Sequence, residues 1–293
     1  MRTLKLGLAL GAGGTKGAAH VGVMQVLDEA GITVDVIAGT SIGSLYGGLV
    51  AVGRSPHEIA DGIRNNPKRE VVEFFRRRLK IRDDNRLSRR FYEALAGHHI
   101  EDLPISYAAT ASDIVEKRSV TIASGPIIDA IEASIAIPVI ARPVAYQGRH
   151  LLDGGFWDPA PVDAATELGA DVIVAVELGH PYTLPQGLRE PATWLAQRMD
   201  RASLTRTFAG VPFTIHAAAS ELRPGRTAHI VLRPVMNGLA NSVLGMSQCL
   251  DAGIDAAQEA LPAIRALLAG ETPRAVAAEY APAARLRTDA GLA

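Results

Sequence analysis

The sequence has few of the residues that mark disulfide-bonded, metal-binding or nucleic-acid-binding proteins. Cys249 is its single cysteine, which excludes an intramolecular disulfide and a cysteine metal cluster and fits a reducing, cytoplasmic compartment. The formal net charge of −1 gives no overall signature of nucleic-acid binding. The sequence therefore predicts a globular protein with no metal centre and no nucleic-acid partner.

Long hydrophobic runs are also missing. No stretch approaches the ~20 unbroken apolar residues of a membrane span, so we expect membrane contact only from the side. Near the N-terminus, Arg2 and Lys5 precede a short apolar run, as in a signal peptide. Because that run is interrupted and lacks a small-x-small cleavage context, we expect it to form a buried strand.

What the sequence does contain is an alternation of strand and helix patterns. Strand patterns at 5–10 and 36–38 alternate with helical patterns at 17–30 and 41–52, which predicts a parallel sheet covered by helices on both faces. The later expected elements are strands at 105–111, 119–123, 171–176 and 227–232, a hairpin around 147–148, and helices at 126–134, 161–168 and 246–268.

The domain organisation is predicted to be simple. Residues 1–270 form one domain, because no internal repeat or clean boundary interrupts them. Residues 65–102 are a basic, helical excursion that we expect to be a lid-like insertion. Residues 271–293 are rich in alanine with scattered proline and charge, which is typical of a flexible tail. No feature of the sequence predicts an oligomeric state.

Gly39-Thr40-Ser41-Ile42-Gly43 matches the pattern G-x-S-x-G and falls between an expected strand and an expected helix. A serine at the apex of such a turn adopts a strained backbone, and the flanking glycines let neighbouring backbone approach without a Cβ clash. The following helix points its positive N-terminal end at the serine oxygen. Ser41 is therefore the candidate nucleophile, the alternative being a turn of small residues that only packs tightly.

A glycine-rich loop, GAGGTKG at residues 11–17, follows the first strand and opens the first helix. Its successive backbone N–H groups suit a phosphate or a developing oxyanion. Lys16 or Ala12 interrupts each register of a dinucleotide-binding G-x-G-x-x-G, and the P-loop pattern is absent. The loop therefore favours an oxyanion, with Gly13 and Gly14 as the donors.

Leu152-Asp153-Gly154-Gly155 places an acid at an expected strand end, followed by two permissive residues. By itself this pattern indicates only a turn, since Asp-Gly pairs are common in hairpins. Asp153 becomes a candidate base only together with the two elements that precede it in the chain.

In this order, the glycine-rich loop, the G-x-S-x-G turn and the D-G-G turn resemble the patatin-like phospholipase family. The intervening text of residues 11–53 is similar to bacterial members almost throughout, as are "ASIAIPVIARPV" at 133–144 and "LLDGGFWDPAPV" at 151–162. The resemblance covers about residues 4–178 and is weak beyond 180 and within the basic excursion.

The resemblance implies a three-layer α/β/α fold with a mainly parallel sheet. It also implies a cofactor-free hydrolase of lipid esters, of phospholipase A or lysophospholipase type, with a Ser–Asp dyad and an acyl-serine intermediate. Ser41 would be the nucleophile, Asp153 the general base, and the amides of Gly13 and Gly14 the oxyanion hole. Because an ordinary aspartate (pKa ~3.9) is a weak base for serine, burial of Asp153 or the helix end at Ser41 must assist. The supporting motif positions are Gly11, Thr15, Lys16, Gly17, Gly39, Gly43, Gly154 and Gly155.

Some positions need separate interpretation. Ala12 occupies the first position of the family's glycine triplet, where a methyl group is a small change. Asp158 stands where the family usually has Asn after the D-G-G turn. We expect it to cap the following helix, the alternative being that its charge raises the pKa of Asp153. Lys16 is expected to brace the loop, or to contact a lipid phosphate if it is exposed.

Two other classes of function stay open at this stage. An α/β-hydrolase triad would use a late histidine, such as His180, His216 or His229. Only one strand precedes the strand that leads to Ser41, which is too early for that fold. The second class is a lipid-binding or regulatory protein of the same fold with a silent site, against which the presence of both Ser41 and Asp153 argues.

The basic excursion generates a first testable prediction. Segment 74–90 combines aromatic residues with many arginines, a composition that attracts anionic lipid headgroups, although a solvated helix is the alternative. Replacing Arg76, Arg77 and Arg78 together by Gln should weaken co-sedimentation with vesicles that contain anionic lipid, with neutral vesicles as the control. Undiminished binding to the anionic vesicles would count against this contact.

Overall fold

The computed structural model describes residues 3–65, 89–137, 141, 143–179, 229–236, 245–271 and 279–280. Within these ranges the strands are β1 (Leu6–Leu10), β2 (Val36–Thr40), β3 (Ser106–Asp113), β4 (Arg118–Ile122), β5 (Val144–Tyr146), β6 (Arg149–Asp153), β7 (Val172–Val176), β8 (Ile230–Leu232) and β9 (Glu279–Tyr280). They form one sheet in the order β5-β6-β3-β2-β1-β7-β8-β9, with β4 also paired to β3.

The sheet is mainly parallel, as predicted. The pairs β1–β2, β1–β7, β2–β3, β7–β8 and β8–β9 are parallel. One edge is antiparallel, because β6 returns along β3 and pairs with β5 through a hairpin at residues 147–148. Gln147 and Gly148 both have positive φ, as that tight turn requires. The expected hairpin is therefore confirmed.

Helices cover both faces of the sheet. They are α1 (Ala18–Glu29), α2 (Ile42–Ala51), α3 (Pro56–Asn65), α4 (Arg89–Leu95), α5 (Ile127–Ser134), α6 (Val162–Glu167) and α7 (Met246–Leu268). Along β1, Leu6, Leu8 and Leu10 pack into the larger core with α1, α2, α5 and α7, whereas Ala9 faces α6. This alternation separates the two helical layers and confirms the three-layer α/β/α prediction.

Several elements end at other residues than expected. Strand β2 continues to Thr40, because Gly39 and Thr40 pair with Ala109 and Thr110 of β3. Helix α1 begins one residue later than expected, because Gly17 is the last residue of a short 3-10 helix, Gly14–Gly17, which begins at a residue of positive φ. Helix α7 has the expected bounds.

The predicted domain boundaries stay a prediction. Residues 66–88, which form most of the expected insertion, lie outside the described residues. Glu279–Tyr280 pairs with β8, although it falls within the expected tail. No helix in the described ranges is long and apolar enough to cross a bilayer.

The strand register positions the two candidate catalytic residues. Thr40 of β2 pairs with Thr110 of β3, so the next residue, Ser41, comes level with Ala111. On the other side of β3, Ala111 pairs with Asp153 of β6. Ser41 and Asp153 therefore flank one small residue, from strands that lie about 10 Å apart.

The contact between α1 and α7 generates a prediction about stability. A Cβ on Gly253 would lie 2.0 Å from the carbonyl oxygen of Ala19. We expect Gly253→Ala to lower the free energy of unfolding by about 1–3 kcal/mol, because overpacking forces the helices apart. Urea denaturation would measure this difference.

The matched control is Gln258→Ala on the exposed side of the same helix, which should change the free energy of unfolding by less than about 0.5 kcal/mol. A Gly253→Ala variant as stable as the wild type would show that the two helices do not need this close approach.

Candidate active site

Ser41 lies in a strained turn between β2 and α2. Its φ of 55° and ψ of −121° place it in a region that non-glycine residues rarely adopt. A Cβ on Gly39 would lie 2.5 Å from the backbone of Ser44, and one on Gly43 would lie 2.1 Å from the carbonyl oxygen of Leu10. Both flanking positions of the G-x-S-x-G pattern therefore require glycine, as the steric argument from the sequence predicted.

The backbone of Ser41 is held on both sides. Its N–H donates to the Ser134 hydroxyl at 2.8 Å. Its carbonyl oxygen accepts from the backbone N–H groups of Ser44 and Leu45 at 2.9 and 3.3 Å, and from the Ser44 hydroxyl at 2.6 Å. These contacts fix the turn at the N-terminus of α2, where the helix dipole favours negative charge.

The side chains of Ser41 and Asp153 meet directly. Ser41 Oγ donates to Asp153 Oδ2 at 2.5 Å, with no imidazole between them, and Ser41 is 6% and Asp153 0% exposed. The other carboxylate oxygen, Oδ1, accepts from the backbone N–H of Gly155 at 2.9 Å. Gly154 lets this turn pack on β3, since its Cβ would lie 2.1 Å from the Thr110 carbonyl oxygen.

The glycine-rich loop presents backbone donors beside this turn. The N–H of Gly11 donates to the carbonyl oxygen of Val176, and the N–H of Ala12 donates to that of Pro159. Within the part of the chain that the structure describes, the N–H groups of Gly13 and Gly14 donate to no protein group. The loop also touches the start of α2, because a Cβ on Gly17 would lie 2.3 Å from the side chain of Ile42.

Lys16 anchors the same loop from inside the protein. Its Nζ donates to the carbonyl oxygen of Leu178 at 2.5 Å, and the residue is 3% exposed. Burial lowers the pKa of Lys16, while the nearby Cys249 acts in the opposite direction. This contact matches the expected bracing role, and the exposure needed to meet a lipid phosphate is missing.

His20 is a second support of the loop, and it is not among the residues that the sequence motifs single out. It is fully buried in α1, and its Nε2 lies 2.7 Å from the carbonyl oxygen of Gly11. The acceptor requires the proton on Nε2, and within the described ranges Nδ1 has no hydrogen-bond partner. By its sequence pattern His20 is an ordinary helical residue, and only the fold brings its ring to the loop.

Of the three late histidines, His229 is the one within the described residues, and its position gives no support to a triad. His229 contacts Ile173 near the amino end of β7, through Nδ1 at 3.1 Å, whereas Ser41 follows the carboxyl end of β2. His180 and His216 lie outside the described residues. In the described ranges no group of three His, Cys, Asp or Glu residues is arranged to hold a metal ion.

Asp158 does not have the capping role expected from the sequence. The N-cap of α6 is Pro161, without a side-chain cap. Asp158 is instead buried, and its carbonyl oxygen accepts from the Thr40 hydroxyl at 2.9 Å. The chain from the D-G-G turn therefore folds back over the end of β2 before α6 begins.

Comparisons with known proteins match the same part of the chain. The family model described as patatin-like phospholipase matches residues 8–166. An uncharacterized NTE family protein of Mycobacterium tuberculosis is 37% identical over 211 residues, which are 68% of this chain and 56% of that protein. Lysophospholipase nte1 of Aspergillus fumigatus is 34% identical over 182 residues, which are 59% of this chain and 12% of that protein.

The chain thus spans about half the length of the mycobacterial relative and a small part of the fungal one. Among solved structures, VipD from Legionella pneumophila is similar with a TM-score of 0.48 and 15% identity, over 90% of this chain and 67% of that chain.

The buried His20 generates a prediction about pH. Burial lowers its pKa to about 4, against the opposing effect of the hydrogen bond to Gly11. An unfolded histidine has a pKa near 6.5, so between pH ~6.5 and ~4 the unfolded chain binds this proton first, and stability falls as the pH falls. The full difference corresponds to about 3 kcal/mol.

We expect His20→Gln, whose amide can still donate to Gly11, to lose less stability than the wild type between pH 7 and 4.5 in urea unfolding. His57→Gln is the control, since that side chain is 42% exposed. Equal losses in wild type and His20→Gln would exclude His20 as a source of the acid sensitivity.

Proposed function

Because this chain belongs to the patatin-like phospholipase family, we propose that it is a serine lipid acyl hydrolase of phospholipase A or lysophospholipase type. The observation that carries the proposal is the direct hydrogen bond from Ser41 Oγ to Asp153 Oδ2 at 2.5 Å. A nucleophile within hydrogen-bond reach of its base is the arrangement that acyl transfer requires.

In the first half-reaction, Ser41 Oγ bonds to the ester carbonyl carbon while its proton passes to Asp153. The carbonyl oxygen becomes an oxyanion, to which the N–H groups of Gly13 and Gly14 donate in this proposal. The tetrahedral intermediate then expels the alcohol, which takes the proton from Asp153. The acyl group stays on Ser41.

In the second half-reaction, water attacks the acyl-serine and gives its proton to Asp153. The fatty acid leaves, and the proton returns from Asp153 to Ser41 Oγ. The enzyme is thereby restored without a metal or another cofactor, and each proton moves between groups that lie in one small volume.

The surroundings of Asp153 support its role as the base. Burial of a carboxyl group disfavours its charged form, while donated hydrogen bonds favour it. Asp153 is 0% exposed, and the Gly155 N–H holds Oδ1 so that Oδ2 is directed at Ser41. On the serine side, the N-terminus of α2 favours the negative charge that develops on Oγ.

A lipid ester is the substrate class that we propose. Relatives of this chain carry the names NTE family protein and lysophospholipase, and these names favour a phospholipid or lysophospholipid over other esters. Contact of segment 74–90 with a membrane surface belongs to the same proposal, but that segment lies outside the described residues except for its last two positions.

A serine-reactive fluorophosphonate tests the proposed nucleophile. We expect wild-type protein to be labelled and Ser41→Ala to remain unlabelled, because the probe needs an activated serine. Asp153→Asn should lose labelling and hydrolysis of a lysophospholipid by about 10²–10⁴-fold, because the amide cannot accept the proton.

The control is His229→Ala, which should keep both activities if no triad operates. A folded wild-type protein that is not labelled would contradict the hydrolase proposal and favour a lipid-binding protein with a silent site. Loss of labelling in His229→Ala would instead favour a triad.

A further inference from the structure

The last turn of α5 and the residues after it contact the backbone of both members of the proposed dyad. Ser134 accepts a hydrogen bond from the N–H of Ser41 at 2.8 Å. Two residues later, the carbonyl oxygen of Ala136 accepts from the N–H of Asp153 at 2.9 Å. The segment 134–136 therefore forms hydrogen bonds with the backbones of both Ser41 and Asp153, which are 112 positions apart in the chain.

We propose that Ser134 is a positioning residue for the reaction: its hydroxyl holds the strained backbone of Ser41 so that Oγ stays in reach of Asp153. This inference rests on the proposed function, because it assigns Ser134 a role in activating the same serine. The hydrogen bonds of the Ser134 hydroxyl connect it to the Ser41 N–H and to the Thr110 carbonyl oxygen, so Ser134 acts on the backbone of Ser41 and not on the reacting atoms.

The direction of the hydrogen bonds is determined by the partners. The Ser134 hydroxyl donates its proton to the carbonyl oxygen of Thr110 at 2.7 Å. A lone pair of the same oxygen is then free to accept from the Ser41 N–H. Because Ser134 and Thr110 are 0% exposed, no solvent competes for either bond, and the turn is tied through the hydroxyl to β3.

Ser41 depends on this bond more than on its other backbone contacts. The carbonyl oxygen of Ser41 accepts from three donors, two backbone N–H groups and the Ser44 hydroxyl, so the loss of one leaves the others. The N–H has the Ser134 hydroxyl as its acceptor. A residue at φ 55° persists in that conformation only when its surroundings enforce it.

The same bond has a consequence for the oxyanion. Since the N–H of Ser41 points at Ser134, it is not directed at the substrate oxygen. The donors must then come from other backbone groups, and the N–H groups of Gly13 and Gly14 are without a protein acceptor in the described residues. The N–H of Ser41 thus serves to hold the proposed nucleophile, and other N–H groups would stabilise the charge on the oxyanion.

Ser134→Ala is the test, and Ser112→Ala is the matched control. Ser112 is also 0% exposed and lies on β3 beside Ala111, and its hydroxyl has no hydrogen-bond partner among the residues that the structure describes. Both variants therefore remove one buried hydroxyl, but only one of them releases Ser41. Ser134→Cys is the conservative variant, because a thiol is a weaker donor and acceptor in the same place.

We expect Ser134→Ala to lower kcat for a p-nitrophenyl ester roughly 100-fold, as misplacement of a reacting group does. KM should change by less than about twofold, because substrate binding is untouched. Fluorophosphonate labelling of Ser41 should slow in parallel, Ser134→Cys should fall between wild type and Ser134→Ala, and Ser112→Ala should match the wild type.

Amide hydrogen exchange of Ser41, followed by NMR, reads the positioning without any activity, and it should accelerate in Ser134→Ala. If the wild type is labelled and Ser134→Ala shows the same labelling rate and the same amide exchange rate, the positioning role is overturned and the hydrolase proposal stays intact. Unlabelled wild type would overturn the hydrolase proposal, and exchange alone would then decide the role of Ser134. The positioning role would also be overturned if kcat in the variants fell only in proportion to their thermal stability and Ser134→Cys had no higher kcat than Ser134→Ala.

Discussion

The hydrogen bond between Ser41 and Asp153 has to cross a strand, and much of the architecture serves that requirement. The two residues approach from β2 and β6, on either side of β3, at the level of Ala111. Strands two apart in a sheet are about 10 Å from each other, a gap that short side chains can close only if the residue between them is small. Alanine at position 111 meets that condition, and the antiparallel return of β6 brings an acid to the same level as the end of a parallel strand.

The crossing also explains why the surroundings are so tightly specified. A serine that extends sideways from the end of β2 needs a backbone conformation outside the ordinary regions, and Gly39 and Gly43 make room for it. The acid needs its second oxygen occupied, which the Gly155 N–H provides. Strain at Ser41 is thus offset by contacts made from elements that are far apart in the chain.

The parts of this site that follow from local sequence are the ones that could be predicted. Three short patterns predict turns by their spacing: the loop at 11–17, G-x-S-x-G and D-G-G. The alternation of strand and helix patterns predicts the three layers. The sequence does not reveal the antiparallel register of β6 on β3, nor that Ser134 meets Ser41 from 93 positions away. Ser134 and His20 are ordinary helical residues by their patterns, and only the packing of helices on the sheet gives them partners.

In the proposed dyad, which has no histidine, the fold itself is part of the chemistry. In a triad, the imidazole is a separate group that can turn toward the serine and be oriented by a third residue. Here the serine donates directly to the carboxylate, so the distance between them is set mainly by the positions of the two backbones. The short side chains of serine and aspartate leave little reach to compensate for an error in the register of β6 or in the turn at Ser41. The quantity that matters is therefore the separation of the Ser41 and Asp153 backbones across β3. Three groups help to set it: the buried hydroxyl of Ser134, the carbonyl of Ala136 and the small side chain of Ala111. The hydrogen-bonded sheet keeps this separation constant.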